Sequence, residues 1–104
     1  MYQDKAASYL GLATKAGKTV SGGDTVLQRI RDRKAYVVIV STEASDRTKK
    51  TFRDKCSYYH VPYTENYTKE ELGRHLGTAE RTVAAVTDKG IGEEIIKLLF
   101  REEI

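Results

Sequence analysis

The sequence predicts a single α/β domain, built as a three-layer α/β/α sandwich around a four-stranded mixed sheet. Segments with a helical spacing of apolar residues alternate with short β-branched runs, which is the pattern of helices packed on both faces of a sheet. Two runs, 36–40 and 82–86, are almost continuously apolar, as in strands covered on both sides. The length of 104 residues, with 39% hydrophobic and 32% charged residues, suits one compact core. We therefore expect residues 1–104 to form one domain.

The beginning of the chain predicts two helices separated by a short extended piece. Apolar residues within 2–16 fall on one helical face, and Gly17 is well placed to end that helix. The extended piece covers 18–20. The run 21–24 then combines glycine flexibility with side chains that can cap a helix. A second helix is therefore expected to begin near Asp24.

The middle of the chain predicts a central strand and a third helix. Strand 36–40 is aromatic and β-branched. Ser45 can cap the helix that follows it. The apolar stripe of this helix consists of Thr48, Phe52, Cys56 and Tyr59. Cys56 is the only cysteine, so it cannot form an internal disulfide, and its place on the stripe predicts that it is buried in the core.

The second half predicts an edge strand, a short helix, a buried strand and a closing helix. Residues 61–64 form an edge strand, because Pro62 removes one hydrogen-bond donor. Thr68 and Glu71 match a capping box, and the helix that they open is expected to end at Gly77. Strand 82–86 follows. The closing helix is defined by Ile91, Ile95, Leu98 and Leu99.

Several classes of protein are disfavoured. The longest apolar run, 36–40, is far shorter than the roughly 20 residues of a membrane-spanning helix. The first residues lack the basic and apolar segments of an export signal, and a lone cysteine suits a reducing compartment. We therefore expect a cytoplasmic protein.

Catalytic and metal sites are not indicated. His60 and His75, the only histidines, share no metal-ligand spacing and are expected to lie at the surface. A nucleophile elbow is absent from the sequence, and the adjacent glutamate pairs point to different sides of a helix. We expect no enzymatic activity, no metal and no cofactor.

Charge and the glycine run are the remaining signals. The net charge is +3, but residues 1–55 contain 12 Lys and Arg against 6 Asp and Glu. Such a basic half can attract a phosphate backbone or can simply be a solvated surface. The exposed turn at 21–24 offers backbone N–H groups and a helix N-terminus to an anion or a base edge. Alternatively, the glycines only connect a strand to a helix.

Several residue runs, taken in order along the chain, form a pattern that is far more specific than a single motif. The runs are Leu10–Lys18, Ser21-Gly22, Arg33–Ala35, Thr48–Lys50 through Asp54–Cys56, Val61-Pro62 and Glu71–Gly73 through Gly77. In these runs the sequence resembles the YlxQ family, within the superfamily of kink-turn-binding ribosomal proteins, and the similarity extends over roughly residues 5 to 100.

The resemblance implies a non-catalytic α/β/α fold with an RNA site built from two elements. The first is the turn that opens the second helix, and the second is the loop before the last strand. The corresponding residues here are Gly22, Gly23, Asp24, Thr25 and Gln28, followed by Gly77, Thr78, Ala79, Glu80 and Arg81. We expect the electrostatic part of RNA binding to come from basic residues neighbouring the turn, namely Lys15, Lys18, Arg29 and Arg31.

Three of these positions differ from the kink-turn pattern, which typically has Asn, Glu and Lys. The Asp24 carboxylate accepts hydrogen bonds but cannot donate one to guanine O6 as an amide can. Thr25 is shorter than a glutamate, and Gln28 lacks the charge of a lysine. We expect these differences to alter preference among RNAs.

The sequence therefore predicts a protein that binds structured RNA, such as ribosomal RNA, with no preference for DNA. A protein partner in the translation or transcription machinery is a further expectation. The alternative is a protein-interaction adaptor on the same fold that has lost specific RNA recognition.

Overall fold

A computed structural model describes residues 4–100 and shows the predicted alternation of helices and strands. Each of the strands lies between two helices, as the apolar patterns indicated. The elements in chain order are α1 (Lys5–Lys15), β1 (Thr19–Ser21), α2 (Gly23–Arg31), β2 (Val37–Val40), α3 (Asp46–Tyr59), β3 (Tyr63–Glu65), α4 (Lys69–His75), β4 (Val83–Val86) and α5 (Lys89–Leu99).

The strands form one mixed sheet in the order β1-β4-β2-β3. Strand β4 runs antiparallel to both of its neighbours, whereas β2 and β3 are parallel. Strand β3 lies at one edge, as Pro62 predicted, and the Pro62 carbonyl accepts a hydrogen bond from Val38 N at 2.9 Å. Proline is tolerated here because the bond uses its carbonyl rather than its missing N–H.

Helices cover both faces of the sheet, which confirms the three-layer α/β/α sandwich. Successive strand residues point to opposite faces. Val38 and Val40 pack with residues of α2 and α3 in one cluster. Val37 and Ile39 pack with residues of α1, α4 and α5 in the other. The helices of residues 4–100 are all too short or too polar to cross a membrane.

The predicted caps of α3 and α4 are confirmed. The Ser45 hydroxyl accepts a hydrogen bond from Thr48 N at 3.1 Å. Thr68 and Glu71 form the reciprocal capping box, with N–O distances of 2.9 and 3.1 Å. Helix α1 is capped by Asp4, and the predicted start of this helix at residue 2 lies outside the described residues.

The start of α2 agrees with the prediction, but its cap does not. The helix begins at Gly23, next to Asp24 as expected, and its cap is Gly22, which makes no side-chain hydrogen bond. The expectation of a capping side chain in this turn was therefore wrong. Gly22 has a φ of 95°, a conformation that glycine adopts at little cost. Its N–H donates to Val83 O at 3.1 Å, which ties the turn to β4.

The environments of Cys56 and His75 depend on packing. Cys56 is fully buried as predicted, and burial raises the pKa of its thiol to about 12. His60 is exposed at the end of α3. His75 was expected at the surface but is half-buried, with its ring edge-to-face against Tyr67 at 4.7 Å. Burial lowers the pKa of His75.

Candidate nucleic-acid interface

The two predicted segments meet at one end of the sheet. Because β1 and β4 are antiparallel, Ser21 at the end of β1 lies opposite Ala84 near the start of β4. The turn that leaves β1 and the loop that leads into β4 are therefore neighbours. We call this the upper end of the sheet, formed by Ser21, Val40 and Val83. The lower end is formed by Thr19, Val37 and Val86.

Arg81 joins the two segments directly. Its Nε donates a hydrogen bond to the Ser21 hydroxyl at 3.0 Å, and one terminal nitrogen donates to Glu80 O at 2.8 Å. The side chain is half-buried in this position. A guanidinium has five N–H donors, so these bonds leave other donors available to a ligand.

The loop from Gly77 to Arg81 is held against α4 by its backbone. Thr78 N donates to Gly73 O at 2.8 Å, and Arg81 N donates to Lys69 O at 3.2 Å. A side chain at Gly73 would overlap the carbonyl oxygen of Ala79. The glycine therefore permits a close approach between helix and loop. The loop is preformed and borders a shallow cleft of about 570 Å³ that also includes Glu70 and Arg74.

The glycine turn presents an open helix N-terminus. Gly23, Asp24 and Thr25 are exposed. The first backbone hydrogen bond of α2 is donated by Val26 N to Gly22 O at 3.0 Å. The N–H groups of Gly23, Asp24 and Thr25 have no acceptor within the helix, because the helix has no carbonyl four residues before them. They are donors available to an anion or to a base edge.

The predicted basic residues lie elsewhere, so the expectation that they neighbour the glycine turn was wrong. Arg31 is the last residue of α2, about 12 Å along the axis from Gly23 at 1.5 Å per residue. Arg29 lies in the same final turn. Lys15 ends α1, and the carbonyl of Lys18 accepts a hydrogen bond from Thr87 N at 2.8 Å, just beyond β4. All four residues are therefore at the lower end.

The upper end also contains residues that the sequence analysis did not identify. The buried Ser41 follows β2, and its hydroxyl accepts a hydrogen bond from Glu43 N at 3.0 Å. The Glu43 carboxylate in turn accepts one from Lys69 N at 3.0 Å. A polar segment directly after a buried strand was the available signal, because such segments emerge at the end of the sheet where β1 and β4 also meet.

Known proteins show which family this chain represents. Residues 4–96 match the model of the ribosomal protein L7Ae/L30e/S12e/Gadd45 family. The chain belongs to this family.

Within the L7Ae family, this chain is similar over most of its length to two bacterial proteins named YlxQ. The RNA-binding protein YlxQ of Bacillus subtilis is 46% identical over 90 residues, which cover 86% of this chain and 90% of that protein. The RNA-binding protein YlxQ of Enterococcus faecium is 36% identical over 97 residues, 93% of each chain. These relatives are named for RNA binding and not for an enzymatic activity.

Solved structures of similar chains agree with the fold. A protein of unknown function from Bacillus halodurans superposes with a TM-score of 0.92 at 32% identity, over 95% of this chain and 100% of that one. The 15.5kD RNA binding protein of Giardia lamblia superposes with a TM-score of 0.79 at 20% identity, over 94% and 91%. At that identity the second comparison concerns the fold alone.

The three unusual positions of this L7Ae-family chain have different surroundings. Asp24 and Thr25 are exposed in the first turn of α2. The Gln28 amide donates to the Asp32 carboxylate at 3.0 Å, one turn further from the glycine turn. Gln28 is thus directed along α2 toward the lower end, whereas Asp24 and Thr25 remain with the loop that contains Arg81.

Proposed function

We propose that this protein binds structured RNA without catalysing a reaction, and that it recognises a kink-turn-like bend with the glycine turn and the loop from Gly77 to Arg81. The observation that carries this proposal is the hydrogen bond between Arg81 and Ser21, because it fixes two exposed segments as one surface. Membership of the L7Ae family and the RNA-binding relatives support the choice of RNA.

The chemistry of the upper end favours contacts to bases over contacts to phosphates. The exposed charged groups of its two segments include Asp24 and Glu80, while Arg81 is partly occupied by protein acceptors. Carboxylates repel phosphates but accept hydrogen bonds from the amino and imino groups of bases. The N–H groups of the glycine turn can donate to base or phosphate oxygens. The upper end therefore contributes selectivity more than salt-dependent affinity.

The RNA is proposed to be ribosomal or another structured RNA, bound in the cytoplasm during translation or transcription. The second candidate is a protein-interaction adaptor on the same fold. It is favoured by one observation, the acidic character of Asp24 and Glu80 beside the open helix N-terminus. An adaptor would bind RNA only as weakly as any mildly basic protein does.

A titration distinguishes these functions. The protein is titrated against a kink-turn RNA, a duplex without the kink, and a simple hairpin at two salt concentrations. We expect submicromolar binding to the kink-turn RNA that exceeds binding to the other two at both salts. Weak binding to all three RNAs that disappears as salt rises would refute the proposal and favour the adaptor.

A matched pair of variants tests the site. Asp24→Ala removes an exposed carboxylate from the glycine turn, and Glu93→Ala removes one from the exposed face of α5. Both change the net charge equally. We expect only Asp24→Ala to change the ratio of affinities among the three RNAs. The same ratio in both variants would exclude the glycine turn from the recognition surface.

A further inference from the structure

A row of cationic side chains lies at the lower end of the sheet, opposite the glycine turn. Lys18 is held there by the bond from Thr87 N to its carbonyl, at 2.8 Å. Lys34 lies near the same end, because Tyr36, two residues later, donates its N–H to Val86 O at 2.9 Å. The segments before β1 and β2 therefore flank β4 from both sides. They are about 10 Å apart, which is two strand spacings.

Six exposed cations make up this row, which we call the lower-end cations. They come from the end of α1, the start of β1, the segment from α2 to β2, and the start of α5. They are Lys15, Lys18, Arg31, Arg33, Lys34 and Lys89.

Ion pairs within the protein do not account for the lower-end cations. The neighbouring carboxylates are those of Asp32 and Asp88, and each accepts a hydrogen bond from another group, the Gln28 amide at 3.0 Å and Ile91 N at 2.8 Å. Within residues 4–100 the ion pairs of 4.0 Å or less involve other lysines, on α3 and α5. Asp32 and Asp88 offset part of this charge without forming an ion pair with any of the six cations, so among the described residues an excess of positive charge remains at this end.

Helix stability accounts for only part of the row. A cation in the last turn of a helix is stabilised by the helix dipole, and this explains Lys15 and Arg31. Lys89 is the first residue of α5, where the dipole disfavours a positive charge. Lys18 and Lys34 lie outside helices. Arg33 has a φ of 60°, a conformation that costs a non-glycine residue free energy.

Aromatic side chains adjoin the cations. The guanidinium of Arg33 lies 5.6 Å from the centre of the Tyr59 ring. Tyr59 packs edge-to-face with Tyr58, with ring centres 4.9 Å apart. Tyr58 is 75% exposed, so its ring is open to solvent beside a cationic row. Exposed aromatic rings next to basic side chains are the usual means of binding unpaired bases, which stack on the ring while the cations contact the phosphates.

We propose that the lower end is a second RNA contact, which binds a single-stranded segment flanking the structured element held at the upper end. The lower-end cations contact its phosphates, and an unpaired base stacks on Tyr58. This inference rests on the proposed RNA binding of the upper end. It also explains how the protein gains electrostatic affinity, since the upper end itself contains exposed carboxylates.

The test compares a kink-turn RNA with and without a single-stranded extension of about 12 nucleotides. An extension of this length can span the 37 Å length of the protein without being fully stretched. Dissociation constants are measured at several salt concentrations. For the unaltered protein we expect the extension to strengthen binding about tenfold or more, because stacking of one base alone contributes a factor of this order.

Two variants and their controls assign the effect to the lower end. Lys18→Ala/Lys34→Ala should lose most of the gain on the extended RNA and should reduce the salt slope by about 1.4, since each single-strand phosphate contact contributes about 0.7. Lys5→Ala/Lys97→Ala removes the same charge elsewhere and should keep the gain. Tyr58→Ser should lose about tenfold on the extended RNA only, while Tyr58→Phe should retain binding.

Each outcome separates this inference from the proposed function. If the protein binds the kink-turn RNA but the extension brings no gain, the second contact is refuted and the upper site stands. If Lys18→Ala/Lys34→Ala behaves like its control on the extended RNA, the second contact is likewise refuted. Failure to bind either RNA would overturn the proposed function and the second contact together.

Discussion

The close approach between α4 and the loop before β4 makes Gly73→Ala a sensitive test of the site. A Cβ at Gly73 would overlap the Ala79 carbonyl oxygen and would lie 2.7 Å from the carbonyl carbon and 3.0 Å from Glu80 Cα. All three atoms are backbone, so no side-chain rotation relieves the contact. Either the loop shifts and loses its hydrogen bond to Gly73, or the helix is displaced from the core.

The magnitude follows from opposing effects. Replacing a glycine inside a helix by alanine stabilises it by up to about 1 kcal/mol through backbone entropy. Overpacking costs about 1–3 kcal/mol. We expect Gly73→Ala to lower the free energy of unfolding by about 1–2 kcal/mol, which lowers the melting temperature by roughly 4–8 °C per kcal/mol in a domain of this size.

Gly11 in α1 provides the matched control. It is also inside a helix, but a Cβ there would have no neighbour within 4 Å. Gly11→Ala should therefore raise the melting temperature. Thermal unfolding followed by circular dichroism measures both variants, and RNA titration of folded Gly73→Ala should show reduced selectivity. A melting temperature of Gly73→Ala equal to or above that of Gly11→Ala would refute the close packing and the preformed loop.

Three further predictions concern stability and reactivity. Gly92→Ala should lower the melting temperature, because its Cβ would lie 2.8 Å from Tyr36 Cβ and overpacking costs about 1–3 kcal/mol. Ser45→Ala should cost about 1 kcal/mol in urea unfolding, because it removes the bond to Thr48 N at the start of α3. The Cys56 thiol, whose pKa is raised to about 12 by burial, should react with a thiol reagent at pH 8 only in denaturant. Because the folded-state pKa is the higher one, Cys56 should also reduce stability as pH rises above about 9.

Controls for these predictions are available in the same helices. Gly90→Ala places its Cβ in ordinary contact with the Asp88 carboxylate at 3.5 Å and should not destabilise α5. Ser57→Ala removes an exposed hydroxyl of α3 that does not cap the helix. Equal effects of Gly90→Ala and Gly92→Ala, or of Ser45→Ala and Ser57→Ala, would contradict these packing and capping assignments. Rapid modification of native Cys56 would show that it is accessible.

Features set by local interactions were predictable from the sequence. The capping box of Thr68 and Glu71 depends on four consecutive residues, so its pattern identifies the start of α4 directly. The two buried strands were evident because apolar residues on both faces require cover on both sides. The edge position of β3 followed from one proline. The glycine turn was marked as an exposed feature, but its cap was mistaken because Gly22 bonds to β4 rather than to a side chain.

The pairing of strands that are distant in sequence decided which segments lie together in space. The sequence determined the order and kind of the elements, and the resemblance of its runs indicated which two segments form a site. Only the tertiary structure placed those segments together through the antiparallel pairing of β1 and β4. The same pairing sends Lys18 to the opposite end from Gly22, although they are only four positions apart. A strand places the residues before it and after it at opposite ends of the sheet, even when the strand is short. Segments that are distant in sequence become neighbours where their strands pair. Strand pairing depends on residues far apart in the chain, so a local sequence pattern does not reveal it.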